Sequence, residues 1–212
     1  MSFAEFISFV RESFELSEEQ VGRFEALDGL YREWNAKINV ISRKDIDALY
    51  DHHVLHSLAI AKYLGSETFD GCKVLDLGTG GGFPGIPLAI LYPGAQFTLC
   101  DSVGKKTIVA DAVSRALALE NVRVVNARAE SLPETFDWVV SRAVASLTDF
   151  YPWVKGKFSK GILYLKGGDV NEEIYQVMSR HRLRKGSVHT WPVDSWLNDE
   201  YYAGKLVIHI EK

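Results

Sequence analysis

Two cysteines and two methionines are all the sulfur in this chain of 212 residues. Cys72 and Cys100 form no C-x-x-C pair and no zinc-ligand spacing. This excludes a disulfide scaffold or zinc ribbon and leaves two reduced, mostly buried thiols as the expectation. No apolar run approaches the ~18 residues that a membrane span needs. The opening Met1-Ser2-Phe3-Ala4-Glu5 has no basic stretch, so the chain does not read as starting with a signal peptide, and the expected compartment is the cytoplasm. Internal repeats, low-complexity tracts and an obvious linker are also lacking. With 47% hydrophobic and 25% charged residues, the composition is globular. At this length an α/β unit with an appendage buries its core without a disulfide or metal staple.

A general excess of positive charge is missing too: the formal net charge is −4. The distribution is uneven. Residues 1–34 hold eight acids and three bases, whereas residues 155–185 hold eight bases and three acids. A local basic field attracts phosphates even on an acidic protein, so the charge permits a nucleic-acid partner without demanding one.

Two capping boxes open the chain. In Ser2-x-x-Glu5 and Ser17-x-x-Gln20, the serine and the later side chain satisfy free N–H groups at a helix start. Phe3, Phe6, Ile7, Val10 and Phe14 then recur at helical spacing, as do Val21, Phe24, Leu27, Tyr31 and Trp34. A third helix is predicted from Ile46 to Leu64. Residues 1–65 read as a helical cap, and residues 66–212 as a second unit packed with it. From residue 73 short apolar strands alternate with helices. Strands are predicted at 73–77, 96–100, 122–126, 137–141 and 161–166, and helices near 85–91, 105–119 and 170–182. Two late strands, near 185–193 and 205–211, pair as a hairpin at the sheet edge. This alternation predicts a doubly wound α/β fold, a mostly parallel seven-stranded sheet covered on both faces.

Ligands of such sheets bind beyond the carboxyl ends of the strands. The turn after 73–77 carries five glycines in the eight residues from Gly78 to Gly85, which permit positive φ and close approach to a ligand. Gly80-Gly81-Gly82-Phe83-Pro84-Gly85 matches G-x-G-x-x-G, so a dinucleotide enzyme is one reading. Asp76 favours another. A carboxylate ahead of the glycines repels a pyrophosphate and attracts the ammonium and sulfonium of S-adenosylmethionine. Asp101, about 20 residues on, suits the ribose hydroxyls of either cofactor. Ala129 and Glu130 follow the third strand, where an adenine edge would lie.

Four stretches resemble one family. They are Trp34-Asn35-Ala36-Lys37-Ile38-Asn39-Val40, then Leu77 through Leu88 with its unusual Phe-Pro-Gly-Ile-Pro-Leu ending, then Asp101-Ser102-Val103-Gly104-Lys105-Lys106, and finally Ser141 through Leu147. The chain resembles the bacterial 16S ribosomal RNA guanine-N7 methyltransferases, also called glucose-inhibited division protein B. The similarity runs from about residue 25 to the C-terminus. It departs from the family pattern at Gly81, where Ala or Pro is usual, and at His56, where the H-x-x-D-S segment has an acid. The resemblance implies a Rossmann-like class I methyltransferase with S-adenosylmethionine contacts at Gly78, Phe83, Ala129, Glu130 and Arg142, alongside Asp76, Gly80 and Asp101. It also implies a guanine of the 530 loop in 16S ribosomal RNA or the 30S subunit as substrate, with no membrane partner. Guanine N7 has a lone pair and no proton to lose, so this transfer needs no general base, and positioning dominates. Arg142, at the end of the fourth strand, is the candidate positioning residue. Lys105, Lys106, Arg128 and Lys166 are candidate phosphate contacts. A cofactor-binding but non-catalytic ribosome assembly factor is a further reading. His52, His53 and His56 lack the Glu of H-E-x-x-H and read as a packed cluster; no metal is expected.

Overall fold

A computed structural model describes all residues, 1–212. The β-branched and aliphatic runs form seven strands: β1 Lys73–Leu77, β2 Gln96–Asp101, β3 Val122–Asn126, β4 Phe136–Arg142, β5 Phe158–Gly167, β6 Val188–Pro192 and β7 Lys205–Glu211. They form one sheet in the order β3-β2-β1-β4-β5-β7-β6. The first five are mutually parallel, while β7 runs antiparallel to both β5 and β6. The late hairpin thus sits at one edge, as its sequence suggests. Side chains alternate across the sheet: Val74, Trp138 and Val140 enter the larger core of 41 buried residues, and Leu75, Leu77 and Val139 the other of 18. Both faces are therefore buried, which is why β1 and β4 read as continuous apolar runs.

Seven α-helices cover the sheet: α1 Phe3–Arg11, α2 Glu18–Asn35, α3 His56–Leu64, α4 Gly85–Leu91, α5 Gly104–Ala116, α6 Leu147–Val154 and α7 Asn171–His181. Both capping boxes form at α1 and α2. Gln20 does double service there. Its Oε1 accepts from the Ser17 N–H, and its Nε2 donates to the Ile90 and Leu91 carbonyls at the end of α4. The N-terminal layer is thereby pinned to the sheet layer, and Phe6, Val10, Phe24 and Leu27 share one apolar cluster with Val74, Phe97 and Leu163.

The predicted 46–64 helix is not uniform. Residues 46–48 form a 3₁₀ turn, 49–55 a π-helical segment, and only 56–64 an α-helix. The buried pairs Leu49/Tyr50 and Val54/Leu55 recur at an interval of five, which matches a π turn better than 3.6. α6 is absent from the sequence prediction, although Ser146 caps it and Leu147, Phe150, Tyr151 and Val154 line its buried face.

Sheet order reverses between β1 and β4: from β1 the chain steps outward to β2 and β3, then returns to β4 and steps the other way to β5. That switch point opens a crevice at the carboxyl ends of β1 and β4. The glycine turn follows β1, and Arg142 ends β4.

Candidate active site

Gly78 turns with φ +72°, and a Cβ there would lie 2.4 Å from Val144 Cγ2, so only glycine fits beneath that side chain. The Gly78 and Thr79 N–H groups donate to the Cys100 carbonyl at 2.8 and 3.1 Å, tying the turn to the end of β2. Asp101 reinforces the tie: Oδ2 accepts from the Gly80 N–H at 2.9 Å and Oδ1 from the Val103 N–H at 2.8 Å. Each oxygen keeps acceptor capacity for a second donor.

A cavity of about 370 Å³ lies over this junction, lined by Leu77, Gly78, Asp101, Ser102, Ala127, Arg128, Ala129, Glu130, Val144 and Trp153. Its size falls in the range of small-molecule sites. Four residues singled out for the cofactor (Gly78, Asp101, Ala129 and Glu130) line it together with Arg128, a candidate phosphate contact. Val144 and Trp153 escape the sequence reading. One belongs to the loop after β4 and the other to the unpredicted α6. The carboxyl-end rule and the Ser146-x-x-Asp149 cap were the available signals.

Asp76, Gly80, Phe83 and Arg142 do not line that cavity. Asp76 is fully buried beneath the turn. Its Oδ2 accepts from Thr79 Oγ1 at 2.6 Å and from the Gly85 N–H at 2.8 Å, while Oδ1 has no partner. Burial pushes its carboxyl up to about 7, against the pull of those hydrogen bonds and of Arg142. Asp76 thus holds the turn from below through Oδ2. It also occupies the start of α4, where a pyrophosphate would need the Gly85 N–H. The dinucleotide reading of Gly80-x-Gly82-x-x-Gly85 fails on that contact.

Phe83 is turned inward, 4.8 Å from the Tyr31 ring and 5.3 Å from His53 between centroids. Tyr31 Oη donates to the Gly81 carbonyl at 2.8 Å, so α2 also holds the turn. Arg142 lies over Phe83, with Cζ 5.1 Å from the ring centroid, and Nη2 donates to His53 Nδ1 at 3.1 Å. No carboxylate lies within ion-pair distance of its guanidinium. A structural salt bridge therefore does not explain this arginine.

The histidines have separate partners. His52 stacks on Tyr201 at 3.5 Å and 6°, His53 meets Arg142, and His56 packs edge-on against Tyr202. No group of three or more His, Cys, Asp or Glu side chains is placed to hold a metal ion. Cys100 is buried, and burial pushes its thiol up to about 11.

The basic residues fall into two sets. Lys105, Lys106 and Arg128 are exposed at the carboxyl edge, joined by Arg43 and Lys44 on the loop whose Val40 packs against Gly81. None of the five is in an ion pair. Lys166 differs from its expectation: Nζ is held by Glu173 Oε2 at 2.8 Å and the Ala145 carbonyl at 3.2 Å, which occupies it structurally. The rest of the basic 155–185 stretch lies largely at the opposite end of the sheet. Lys157 and Lys160 flank the start of β5, and Arg184 pairs with Glu211 at the end of β7.

Comparison with known proteins gives the family and the fold. A family model described as rRNA small subunit methyltransferase G matches residues 20–194. A ribosomal RNA small subunit methyltransferase G from Cytophaga hutchinsonii is 47% identical, covering 92% of this chain and 94% of its own. One from Bacteroides thetaiotaomicron is 54% identical over 75% of this chain and 80% of its own. Among solved structures, a 16S rRNA N2 methyltransferase from T. thermophilus in complex with AdoMet and guanosine superposes with a TM-score of 0.56, at 21% identity, over 76% of this chain and 43% of that one. Magnesium protoporphyrin IX methyltransferase from Synechocystis with bound SAH gives 0.60 at 13% identity, over 87% and 93%. These two show the shared fold. No helix here is long and apolar enough to cross a membrane. With its switch-point cavity and its match across residues 20–194, the chain belongs to the rRNA small subunit methyltransferase G family, S-adenosylmethionine-dependent methyltransferases of small-subunit ribosomal RNA.

Proposed function

We propose that the protein acts in the cytoplasm on N7 of a guanine in the 530 loop of 16S ribosomal RNA, as naked RNA or within the 30S subunit. The observation that carries this reading is Arg142: a half-buried guanidinium with no ion-pair partner at the end of β4, two residues before Val144, which lines the cavity. When bound, S-adenosylmethionine supplies an electrophilic methyl on a sulfonium. Gly78, Asp101, Ala129 and Glu130 would hold its adenosyl part, with Asp101 offering its remaining acceptor capacity to the ribose hydroxyls. Asp76, Gly80 and Phe83 would act by shaping the turn. Arg142 would donate to guanine O6 or a neighbouring phosphate and leave N7 free.

The chemistry of the nearby groups supports an acceptor atom that carries no proton. Asp76 is buried under the turn, both Asp101 oxygens hold backbone N–H groups, and His53 Nδ1 is engaged by Arg142. Direct attack by a lone pair asks only for proximity and in-line orientation. Lys105, Lys106, Arg128, Arg43 and Lys44 supply phosphate contacts around the mouth, suited to a loop with a splayed base.

The test is to map N7-methylguanine in 16S RNA from cells with and without the gene, and to assay purified protein on 30S subunits. Loss of one such site without the gene supports the reading, and methylation at another guanine atom overturns it. Cofactor binding without turnover on RNA or subunits would favour an assembly factor. Arg142→Ala is expected to lower methyl transfer by about 100-fold or more, the scale of losing a charged hydrogen bond at a reacting centre, with the fold intact by circular dichroism.

A further inference from the structure

Arg142 is held by a neutral group. A guanidinium has five N–H donors and no acceptor, so the 3.1 Å contact from Nη2 makes His53 Nδ1 the acceptor and puts the imidazole proton on Nε2. That Nε2 is buried and has no hydrogen-bond partner. An unpaired buried N–H is a net cost to the fold, and an apolar side chain would fill the same space without that cost. Packing therefore does not account for a histidine here; its Nδ1 does. Burial, assisted by the charge of Arg142, pushes His53 down to about 3, so the ring is neutral under ordinary conditions.

The surroundings fit the same purpose. Phe83 is shared: its ring touches His53 and also underlies the guanidinium. The π-helical segment 49–55 sets the position of His53, and Ser57 Oγ donates to the His53 carbonyl at 2.7 Å. A carboxylate in place of Nδ1 would also orient the arginine, but it would take up the positive charge in a bidentate pair. A neutral acceptor fixes the direction of the side chain and leaves the charge for a ligand.

We infer that His53 is the positioning residue for Arg142, a neutral acceptor that aims the guanidinium at the substrate while keeping its charge free. The inference rests on the reading of Arg142 as a substrate-positioning group.

Three variants of one position test it, because Asn and Asp share a shape and place an oxygen where Nδ1 stands. Methyl transfer to 30S subunits is measured alongside thermal midpoints. His53→Ala is expected to lose about ten-fold or more in kcat/KM, the scale of one hydrogen bond to a charged group. His53→Asn should restore the rate to within a few-fold of wild type. His53→Asp should fold as well as the Asn variant yet stay as slow as the Ala variant, a difference that a purely structural histidine would not produce. His53→Ala added to Arg142→Ala should cause no further loss, since the two act through one contact. Equal activity of the Asn and Asp variants, or an Ala variant within two-fold of wild type while Arg142→Ala is inactive, overturns the inference alone. Near-normal activity of Arg142→Ala overturns the reading beneath it.

Discussion

Gly78 is constrained twice over, by its backbone and by its neighbour. Its φ of +72° and the 2.4 Å separation between Val144 Cγ2 and any added Cβ act on the same atom. Gly78→Ala therefore adds left-handed backbone strain to overpacking, together about 2–4 kcal/mol. A lower urea midpoint and weaker binding of S-adenosylhomocysteine in calorimetry are the expected results; an unchanged midpoint would refute the packing argument. Asp76 shows how a residue is legible as important while its packing is not. Its place at the end of β1 marks it from sequence, and a charge argument then points it at a cationic cofactor. The fold closes the turn over it, with Thr79 Oγ1 and the Gly85 N–H donating to Oδ2. Nothing in the order of residues reveals which way a strand-end side chain is covered.

The π-helical segment and the helix after it carry a pH signature. Burial holds His53 near 3 and keeps His56 well below its ordinary value, so both stay neutral in the fold and take up protons when it opens. Stability from these two groups is complete above the unfolded histidine pKa of about 6.5 and is lost as pH falls below it, each contributing a slope of about 1.4 kcal/mol per pH unit. Asp76, raised to about 7, works the other way between pH 4 and 7, but it is one group against two. Thermal midpoints should therefore fall from pH 7 to pH 5, and His56→Gln should flatten that fall; an equal slope in the variant would contradict the assignment. The elements themselves were mostly readable. Both capping boxes, all seven strands and the edge hairpin are legible because each is a local pattern, of cap spacing or of a short apolar run. The 46–64 segment was not, since an interval of five hides within a long apolar stretch that also satisfies 3.6. α6 was missed because eight residues with Pro152 inside give too short a period to stand out.

At the scale of the whole molecule, net charge misleads and location decides. The conspicuous 155–185 bases are spent on Glu173, Glu211 and backbone carbonyls or lie mainly away from the cavity, while Arg128 lines it and Lys106 reaches toward Gly80 of the turn beside it. Reversing Lys105 and Lys106 to Glu should weaken RNA binding and lower the log–log salt slope by about 1–2. Arg184→Glu with Lys185→Glu should leave that slope unchanged, and filter binding across a salt series compares the two pairs. Sequence separation conceals such a convergence: sheet order sets the ends of β2 and β3 side by side, before residues 105 and 128, while α2 and Val40 bring the loop of residue 43 to the glycine turn. The same order gives Tyr31 a wider meaning. Its hydroxyl joins α2 to the Gly81 carbonyl, so the N-terminal layer and the glycine turn are in direct contact. By thermodynamic reciprocity, a ligand that strengthens this hydrogen bond tightens α2, and a change that breaks it from the α2 side weakens that ligand to the same extent. The helical layer that looks like packing is thus a remote part of the binding free energy.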